Sequence, residues 1–275
     1  MNILRPSTES DTVVDSALYF QLRRQWWLAM SLAALVLLAG TGLFFYCNPE
    51  ISSLTGSITA ALVTCYILYL LRRNFRLNTR PEHQLLMAGL GPANWVTLAR
   101  GGLIAILAGF MLQPWPGSYS GPAWTGWIPG SLYLAAVAGD ALDGFVARTT
   151  ATQTQLGELL DTRIDALGIL VACLLAIHYG RLPGYYLSAG LAYYLLRFAV
   201  RVRKKTGRPC AEVRSRRGAR VMAGIQMVFL GVVLLPLFSP QATHIGAVLI
   251  LIPFLAGFLF DWQAVCGHEK FVNID

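Results

Sequence analysis

Residues 140–165 read DALDGFVARTTATQTQLGELLDTRID, and they place four aspartates, Asp140, Asp143, Asp161 and Asp165, in a largely apolar part of the chain. Acids this close together in apolar helices repel one another and stay partly protonated unless a cation holds them. A divalent metal ion is the simplest cation that meets this requirement. The segment is therefore the predicted centre of the protein's chemistry.

The spacing of the residues around these acids predicts two helical faces. Residues three or four positions apart lie on one face of a helix. Two sets follow this spacing on successive helices: Asp140, Asp143, Gly144, Ala147 and Arg148, and then Gly157, Asp161 and Asp165. Because the connector TTATQTQL is short, we expect antiparallel neighbouring helices whose acidic faces meet. The small residues on both faces leave room for a ligand or for close helix approach.

The composition of the chain predicts an all-α fold, a polytopic bundle of membrane helices. The 275 residues are 55% hydrophobic and 13% charged, whereas soluble proteins carry about 25% charged residues. The apolar blocks are roughly 20 residues long, which is the helix length that crosses the hydrocarbon core of a bilayer. The predicted membrane helices lie at about 26–46, 51–71, 94–114, 129–149, 158–180, 183–200, 219–238 and 243–262.

A polar segment after the second apolar block, RRNFRLNTRPEHQ, divides the chain. The predicted parts are a cytoplasmic N-terminal segment at 1–25, a two-helix transmembrane extension at 26–71, a basic cytoplasmic linker at 72–90, a six-helix catalytic transmembrane domain at 91–265 and a cytoplasmic tail at 266–275. The acidic segment belongs to the six-helix part, so we expect the chemistry there.

The net charge of +8 is concentrated in loops on one side of the predicted bundle, and among the loops of the other side only Arg181 is basic. By the positive-inside rule, both termini and the acidic helix ends face the cytoplasm. A soluble phosphorylated substrate would therefore reach the site from the cytosol. The charge does not indicate nucleic-acid binding, because the chain contains no module for it. Five cysteines without a CxxC pair indicate neither a zinc site nor a disulfide framework.

Carboxylate oxygens are hard ligands that suit Mg²⁺ or Mn²⁺, with substrate phosphate and water completing the coordination. Two such ions can polarise a phosphoryl group and stabilise its attacking and leaving oxygens. One of the four acids can stay off the metal and take the proton from an attacking hydroxyl. The segment therefore predicts a metal site suited to phosphoryl chemistry.

The intervals in this segment, D-x2-D-G-x2-A-R-x8-G-x3-D-x3-D, match the signature of the CDP-alcohol phosphotransferase family. The chain resembles that family over about 90–265, and the helices at 26–71 would be an addition to the family's six-helix core. The resemblance implies that a second alcohol displaces CMP from a CDP-linked alcohol and forms a phosphodiester. It also implies Mg²⁺ or Mn²⁺ as the cofactor, with two ions expected.

The resemblance assigns a role to each acid of the signature. It implies that Asp140, Asp143 and Asp161 ligate the metal ions. Asp165 would be the catalytic general base and would also serve as a metal ligand.

Five further residues would contact the CDP group of the donor: Asn94, Thr97, Gly144, Arg148 and Thr154. Arg148 offers a planar fork suited to phosphate. The segment PANWVT, which contains Asn94 and Thr97, resembles the start of the family's first core helix. Thr154 lies in the connector, where related enzymes place a hydroxyl near the donor.

The stretch RVRKKTGRPCAEVRSRRGAR carries nine positive charges between residues 201 and 220. These charges fit positive-inside topology and attraction to anionic lipid. A sharper interpretation is that Arg217 or Arg220 reaches the site and binds a phosphate on the acceptor. Two other arginines, Arg100 and Arg197, lie in apolar surroundings, where functional and structural interpretations both stay open.

The preferred function is a metal-dependent integral-membrane phosphatidyltransferase that moves the phosphatidyl group of CDP-diacylglycerol to a polar alcohol and releases CMP. An alternative keeps the site and exchanges the partners, so that CDP-choline or CDP-ethanolamine is the donor and diacylglycerol the acceptor. A remote alternative is a non-catalytic protein whose acids conduct ions. Such a pathway needs neither the arginine nor the glycines of the signature.

The expected partners are CDP-diacylglycerol or another CDP-alcohol, a polar alcohol acceptor and membrane lipid, with no nucleic acid. The expected location is a bacterial-type inner or plasma membrane, crossed several times, with the active site facing the cytoplasm. Because family members often form dimers, the resemblance also suggests a homodimer.

Overall fold

A computed structural model of the protein describes residues 9–47, 53–80, 87, 89–116, 122–150, 153–207 and 217–265. The α-helices in these residues are α1 (Glu9–Cys47), α2 (Ser53–Arg73), α3 (Pro92–Gly109), α4 (Ile128–Thr149), α5 (Gln155–His178), α6 (Leu187–Lys205), α7 (Arg217–Val233) and α8 (Pro240–Val265). The prediction of an all-α bundle with eight helices is confirmed for the part of the chain described. The predicted cytoplasmic tail at 266–275 lies outside it.

Several helix boundaries differ from the sequence-based ones: α3 ends at Gly109 rather than near 114, and α6 is Leu187–Lys205 rather than 183–200. The differences at α1 and α7 have a clear cause. Helix α1 begins at Glu9, well before position 26, because residues 9–25 contain neither glycine nor proline and nothing interrupts the helix. Helix α7 ends at Val233 rather than near 238. Pro236 follows shortly after, and a proline cannot continue the hydrogen-bonding pattern of a helix.

Among the described residues, four segments are long and apolar enough to cross a membrane: Phe20–Cys47, Leu54–Arg73, Pro92–Leu112 and Pro240–Gln263. The apolar part of α7, Arg220–Val233, is shorter. Helices α4 and α5 carry the acids of the signature, and α6 ends in basic residues, which lowers their hydropathy. These helices and their composition indicate a membrane protein with four candidate spans among the described residues, and the crossing of all eight helices stays a prediction.

Helix α3 lies at the centre of the bundle. It packs against α1, α2, α4 and α5, and its residues Ile104 and Leu107 are buried in the main apolar core. Large apolar side chains of α1, α2 and α8 are exposed, as expected for helices that face lipid. Polar side chains of α3 are consequently directed at its neighbours rather than at lipid or water.

The segment before α3 joins the N-terminal helices to the rest of the bundle. Gln25 of α1 accepts a hydrogen bond from the backbone N–H of Leu90. The side-chain amide of Asn78 donates to the carbonyls of Met87 and Gly89, at 3.1 Å each. These bonds fix where α3 begins and therefore the depth of its polar residues. The domain limits proposed from the sequence stay a prediction.

Gly109, the last residue of α3, allows the Phe44 ring of α1 to lie directly over the α3 backbone. A Cβ at position 109 would overlap three carbons of that ring, which also packs edge-on against Phe110 with centroids 5.1 Å apart. Overpacking of this kind costs about 1–3 kcal/mol. We therefore expect Gly109→Ala to lower the thermal midpoint of the detergent-solubilised protein by roughly 3–10 °C.

The matched control is Gly42→Ala on α1, where an added Cβ meets no atom within 4 Å. Alanine has the higher helix propensity, so this variant is expected to keep or slightly raise the midpoint. Equal midpoints for the two variants would show that the Phe44 contact does not constrain the position of α1.

Candidate active site

Three helices bring polar side chains together at one end of the bundle. Helix α3 contributes from its first half, α4 from its second half and α5 from its first half. Helices α4 and α5 pack mainly against α3 and touch each other little. The acidic faces of α4 and α5 nevertheless meet, as expected, because ligand oxygens of Asp140, Asp161 and Asp165 lie within 4.8 Å of one another. A side chain of α3 lies between their acidic faces and joins them.

That side chain is Arg100, whose guanidinium contacts all four carboxylates of the signature. Its Nη1 atom lies 2.7 Å from Asp143 and 2.7 Å from Asp161, and 3.1 Å from Asp140. Its Nη2 atom donates to Asp165. The Arg100 side chain is 4% exposed. The four acids predicted from the sequence thus converge on one buried cation.

The stem of Arg100 is held against α4. Its Nε donates to the carbonyl of Ala136 at 3.1 Å. Next to it, Gly139 permits close approach, because an added Cβ would lie 2.7 Å from the Arg100 Cγ. The guanidinium therefore has a fixed position, and the acids of α4 and α5 are arranged around it.

Asp143 is the most buried of the four acids, with 6% of its surface exposed. Its Oδ2 atom accepts hydrogen bonds from the Thr97 hydroxyl at 3.0 Å and from Arg100. Asp140, Asp161 and Asp165 are half-buried, and one ligand oxygen from each lies within 4.8 Å of the others. Asp140, Asp161 and Asp165 thus form a triad whose spacing fits a divalent cation. Asp143 is hydrogen-bonded to Thr97 and Arg100 instead.

This donor set suits a hard metal ion. Three carboxylates leave coordination positions for water and phosphate, which is how Mg²⁺ is usually bound. The cluster contains no nitrogen or sulfur ligand of the kind that zinc prefers. The chemistry of the residues present therefore fits the predicted Mg²⁺ or Mn²⁺.

Asn94 and Thr154 lie together beside the acids. The Asn94 amide donates to the Thr154 hydroxyl at 3.4 Å, and both side chains are buried. Thr154 is also the N-cap of α5, where its hydroxyl accepts a hydrogen bond from the Gly157 N–H at 3.0 Å. A Cβ at Gly157 would lie 2.5 Å from the Asn94 Oδ1. This glycine of the signature thus allows Asn94 to approach α5.

For the other predicted site residues, the structure describes the position on the helix but not always the side chain. Gly144 is half-buried on α4. The backbone of Arg148 lies near the end of α4 and that of Arg217 begins α7, while the side chains of both fall outside the described residues. Arg220, on the first turns of α7, is exposed.

Sequence reasoning missed two buried polar side chains of the bundle. It left the role of Arg100 open, although a charged residue inside an apolar helix was the available signal. It did not single out Gln226 of α7, which is fully buried and whose amide atoms bond to none of the described residues. The adjacent Met227 lines a cavity of about 10 Å³ together with Arg100, Tyr133 and Asp165. A cavity of that size holds about one water molecule.

Arg197, the second arginine in apolar surroundings, is not part of this cluster. Its side chain is exposed on α6, with the guanidinium carbon 5.9 Å from the centre of the Tyr193 ring. Such a position fits the structural interpretation, in which a long side chain reaches toward the interface.

Comparison with protein families identifies this arrangement. The family model for CDP-alcohol phosphatidyltransferase matches residues 90–259, which run from the start of α3 into α8 and include all the acids. Neither the curated proteins nor the solved structures gave a significant match. The family implies transfer of a phosphatidyl group from a CDP-alcohol in a metal-dependent reaction. The chain belongs to the CDP-alcohol phosphatidyltransferase family.

Proposed function

We propose that the protein is an integral-membrane phosphatidyltransferase that moves the phosphatidyl group of CDP-diacylglycerol to a polar alcohol and releases CMP. The observation that carries the proposal is the convergence of all four signature acids on one point between α3, α4 and α5. An ion-conducting protein would not need Asn94 and the glycine at 157 to be fitted together beside the acids.

Asp140, Asp143 and Asp161 would hold the metal, Asp165 would add a ligand oxygen that the site can lose without losing the metal, and two ions of Mg²⁺ or Mn²⁺ are expected. When bound, the metal supplies positive charge that neutralises the pyrophosphate of the donor. The close approach of three ligand oxygens, within 4.8 Å, supports this assignment. Asp143 is placed to orient the cluster because it is held by Thr97 and Arg100.

In the proposed reaction, the acceptor hydroxyl oxygen attacks the phosphorus that carries the diacylglycerol. A new phosphorus–oxygen bond forms, the bond to the CMP phosphate breaks, and CMP leaves with the bonding electrons. Asp165 takes the proton of the attacking hydroxyl. Its position supports this role, since Asp165 lines the small cavity beside Arg100.

The CDP group would lie along Asn94, Thr97, Gly144, Arg148 and Thr154. The contacts of Asn94 with Thr154 and of Thr97 with Asp143 support a shared donor subsite at the start of α3 and α5. The site would open to the cytoplasm, as the distribution of basic residues indicates. A bacterial-type plasma membrane and a homodimer remain the proposed setting.

The acceptor would enter beside α7. Arg217 and Arg220 stand at the start of that helix and would bind a phosphate or other anionic group of the acceptor. Deeper in the bundle, Gln226 offers an amide that bonds to none of the described residues. A buried amide without a partner costs about 1–3 kcal/mol, so a polar ligand at this depth would offset that cost.

The experiment that tests the proposed function is an acceptor panel with the purified full-length protein. In Mg²⁺ or Mn²⁺, CMP release from CDP-diacylglycerol is expected only when the right polar alcohol is present, with the lipid product identified by mass. Asp140→Asn serves as the inactive control. CMP release from CDP-choline or CDP-ethanolamine with diacylglycerol would instead establish the exchanged partners. No release from any donor would refute the transferase function.

The role of Asp165 is tested by Asp165→Asn compared with Asp140→Asn. Loss of a general base lowers turnover by about 10²–10⁴-fold, and we expect at least that loss in Asp165→Asn. Metal-dependent binding of labelled CDP-diacylglycerol is expected to persist in Asp165→Asn and to be lost in Asp140→Asn. Equal loss of donor binding in the two variants would place Asp165 among the essential metal ligands instead.

The donor subsite is tested by Gly157→Ala. The added methyl group would displace Asn94, whose Oδ1 lies 2.5 Å from the ideal Cβ position. We expect the KM for the CDP-alcohol to rise at least about fivefold, because one contact to the donor is worth roughly 1 kcal/mol. Gly257→Ala on α8 is the control, since a Cβ there meets nothing within 4 Å. An unchanged KM in Gly157→Ala would remove Asn94 from the donor subsite.

A further inference from the structure

Arg100 occupies the centre of a cluster that would otherwise carry four uncompensated negative charges. Its guanidinium reaches acids on two different helices, Asp140 and Asp143 on α4 and Asp161 and Asp165 on α5. Uncompensated charge is strongly destabilising in an apolar bundle. One guanidinium lowers the formal charge of the cluster and leaves it negative.

The guanidinium is also the main connection between the two acidic helices at this depth. Helices α4 and α5 touch each other little, whereas Arg100 bonds to carboxylates of both at 2.7 Å. Its stem is anchored by the Nε bond to Ala136 and by the close packing on Gly139. The arginine therefore sets the separation of the carboxylates as well as reducing their repulsion.

The oxygens that Arg100 contacts belong to the same acids that would ligate the metal. Asp140, Asp161 and Asp165 form the triad suited to a divalent cation, and each has an oxygen on the guanidinium. A cation bound at that triad would lie close to the buried positive charge of Arg100, whose guanidinium contacts the same three acids. Like charges at such distances repel strongly where the dielectric constant is low.

We propose that Arg100 is a built-in counter-ion that holds the four carboxylates in place before the metal binds, and that the metal binds against its charge. This inference rests on the proposed function only in taking the carboxylates as the metal site. Arg100 is on this account a positioning residue. Loss of its charge has opposite effects on two quantities: the metal-free protein becomes less stable, and the metal binds more tightly.

Two other roles for Arg100 predict different changes in metal affinity when the arginine is lost. An arginine that only stabilises the fold would, when lost, weaken the metal site together with the bundle. An arginine whose function is to bind the phosphates of the donor would, when lost, raise the KM of the donor and leave metal affinity unchanged. Metal affinity measured without substrate therefore separates the three roles.

The experiment compares Arg100→Gln, Arg100→Lys and the control Arg197→Gln in the full-length protein in detergent. Mn²⁺ affinity is measured by calorimetric titration, and thermal midpoints are measured in chelator and in saturating Mn²⁺. We expect Arg100→Gln to lower the midpoint in chelator by roughly 5–15 °C. We expect it to bind Mn²⁺ about tenfold more tightly or better, so that saturating Mn²⁺ closes most of the gap in midpoint.

The two comparison variants keep the charge of the cluster. Arg100→Lys retains a cation there, and its Mn²⁺ affinity is expected within about threefold of the parent protein. Arg197→Gln removes an arginine that lies away from the acids, and both quantities are expected to stay unchanged. Unchanged or weaker Mn²⁺ binding in Arg100→Gln overturns the inference, as does tenfold tighter binding in Arg100→Lys.

If the Arg100→Gln variant folds only when Mn²⁺ is present, that result would support the inference. If it does not fold in either condition, Arg100→Gln combined with Asp143→Asn removes one charge of each sign. This double variant is expected to bind Mn²⁺ more tightly than Asp143→Asn alone, and equal or weaker binding overturns the inference. If the parent protein binds no Mn²⁺, the proposed metal-dependent function fails together with this inference. If the parent binds Mn²⁺ and Arg100→Gln binds it no more tightly, only the inference about Arg100 fails.

Discussion

The cost of placing four carboxylates inside an apolar helix bundle is the constraint on which the rest of the structure depends. Each buried charge without a partner destabilises a protein by several kcal/mol, so the acids have to share a cation. Arg100 meets this need from α3, with its Nη1 atom 2.7 Å from Asp143 and 2.7 Å from Asp161. Helix α3 can supply this side chain to acids on two helices because it packs against both α4 and α5.

Small residues then determine how closely these helices approach. At Gly139 the stem of Arg100 lies against the α4 backbone, and at Gly157 the Asn94 amide lies against α5. Both positions exclude a Cβ, which would lie 2.7 Å from the Arg100 Cγ in one case and 2.5 Å from the Asn94 Oδ1 in the other. The site is therefore defined by backbone packing as much as by its charged groups. Thr154 adds a third constraint, because it caps α5 and contacts Asn94 at once.

The spacing of acids and glycines predicted the two acidic helices, the metal-binding chemistry and the family, because each depends on residues close together in the sequence. The meeting point of the two helices could not be predicted in the same way. Arg100 lies 40 residues before Asp140, and helical periodicity does not indicate which neighbour a long side chain will reach. The start of α1 at Glu9 was missed because polarity was taken as the end of the helix, although nothing in residues 9–25 ends one. Gln226 was missed because a single polar residue in an apolar helix has no characteristic spacing.

The charge of the cluster also bears on the order in which ligands arrive. Four carboxylates with one guanidinium carry a formal charge of −3, and that charge repels the pyrophosphate of a CDP-alcohol. A partly buried negative cluster attracts a divalent cation more strongly than a fully exposed one, because screening by salt is weaker there. If two divalent ions bind there as proposed, the same residues would carry a formal charge of +1, and the field at the site would favour the anionic donor. Arg100 would contribute to that positive charge, so the residue proposed to oppose the metal would also favour an anionic substrate.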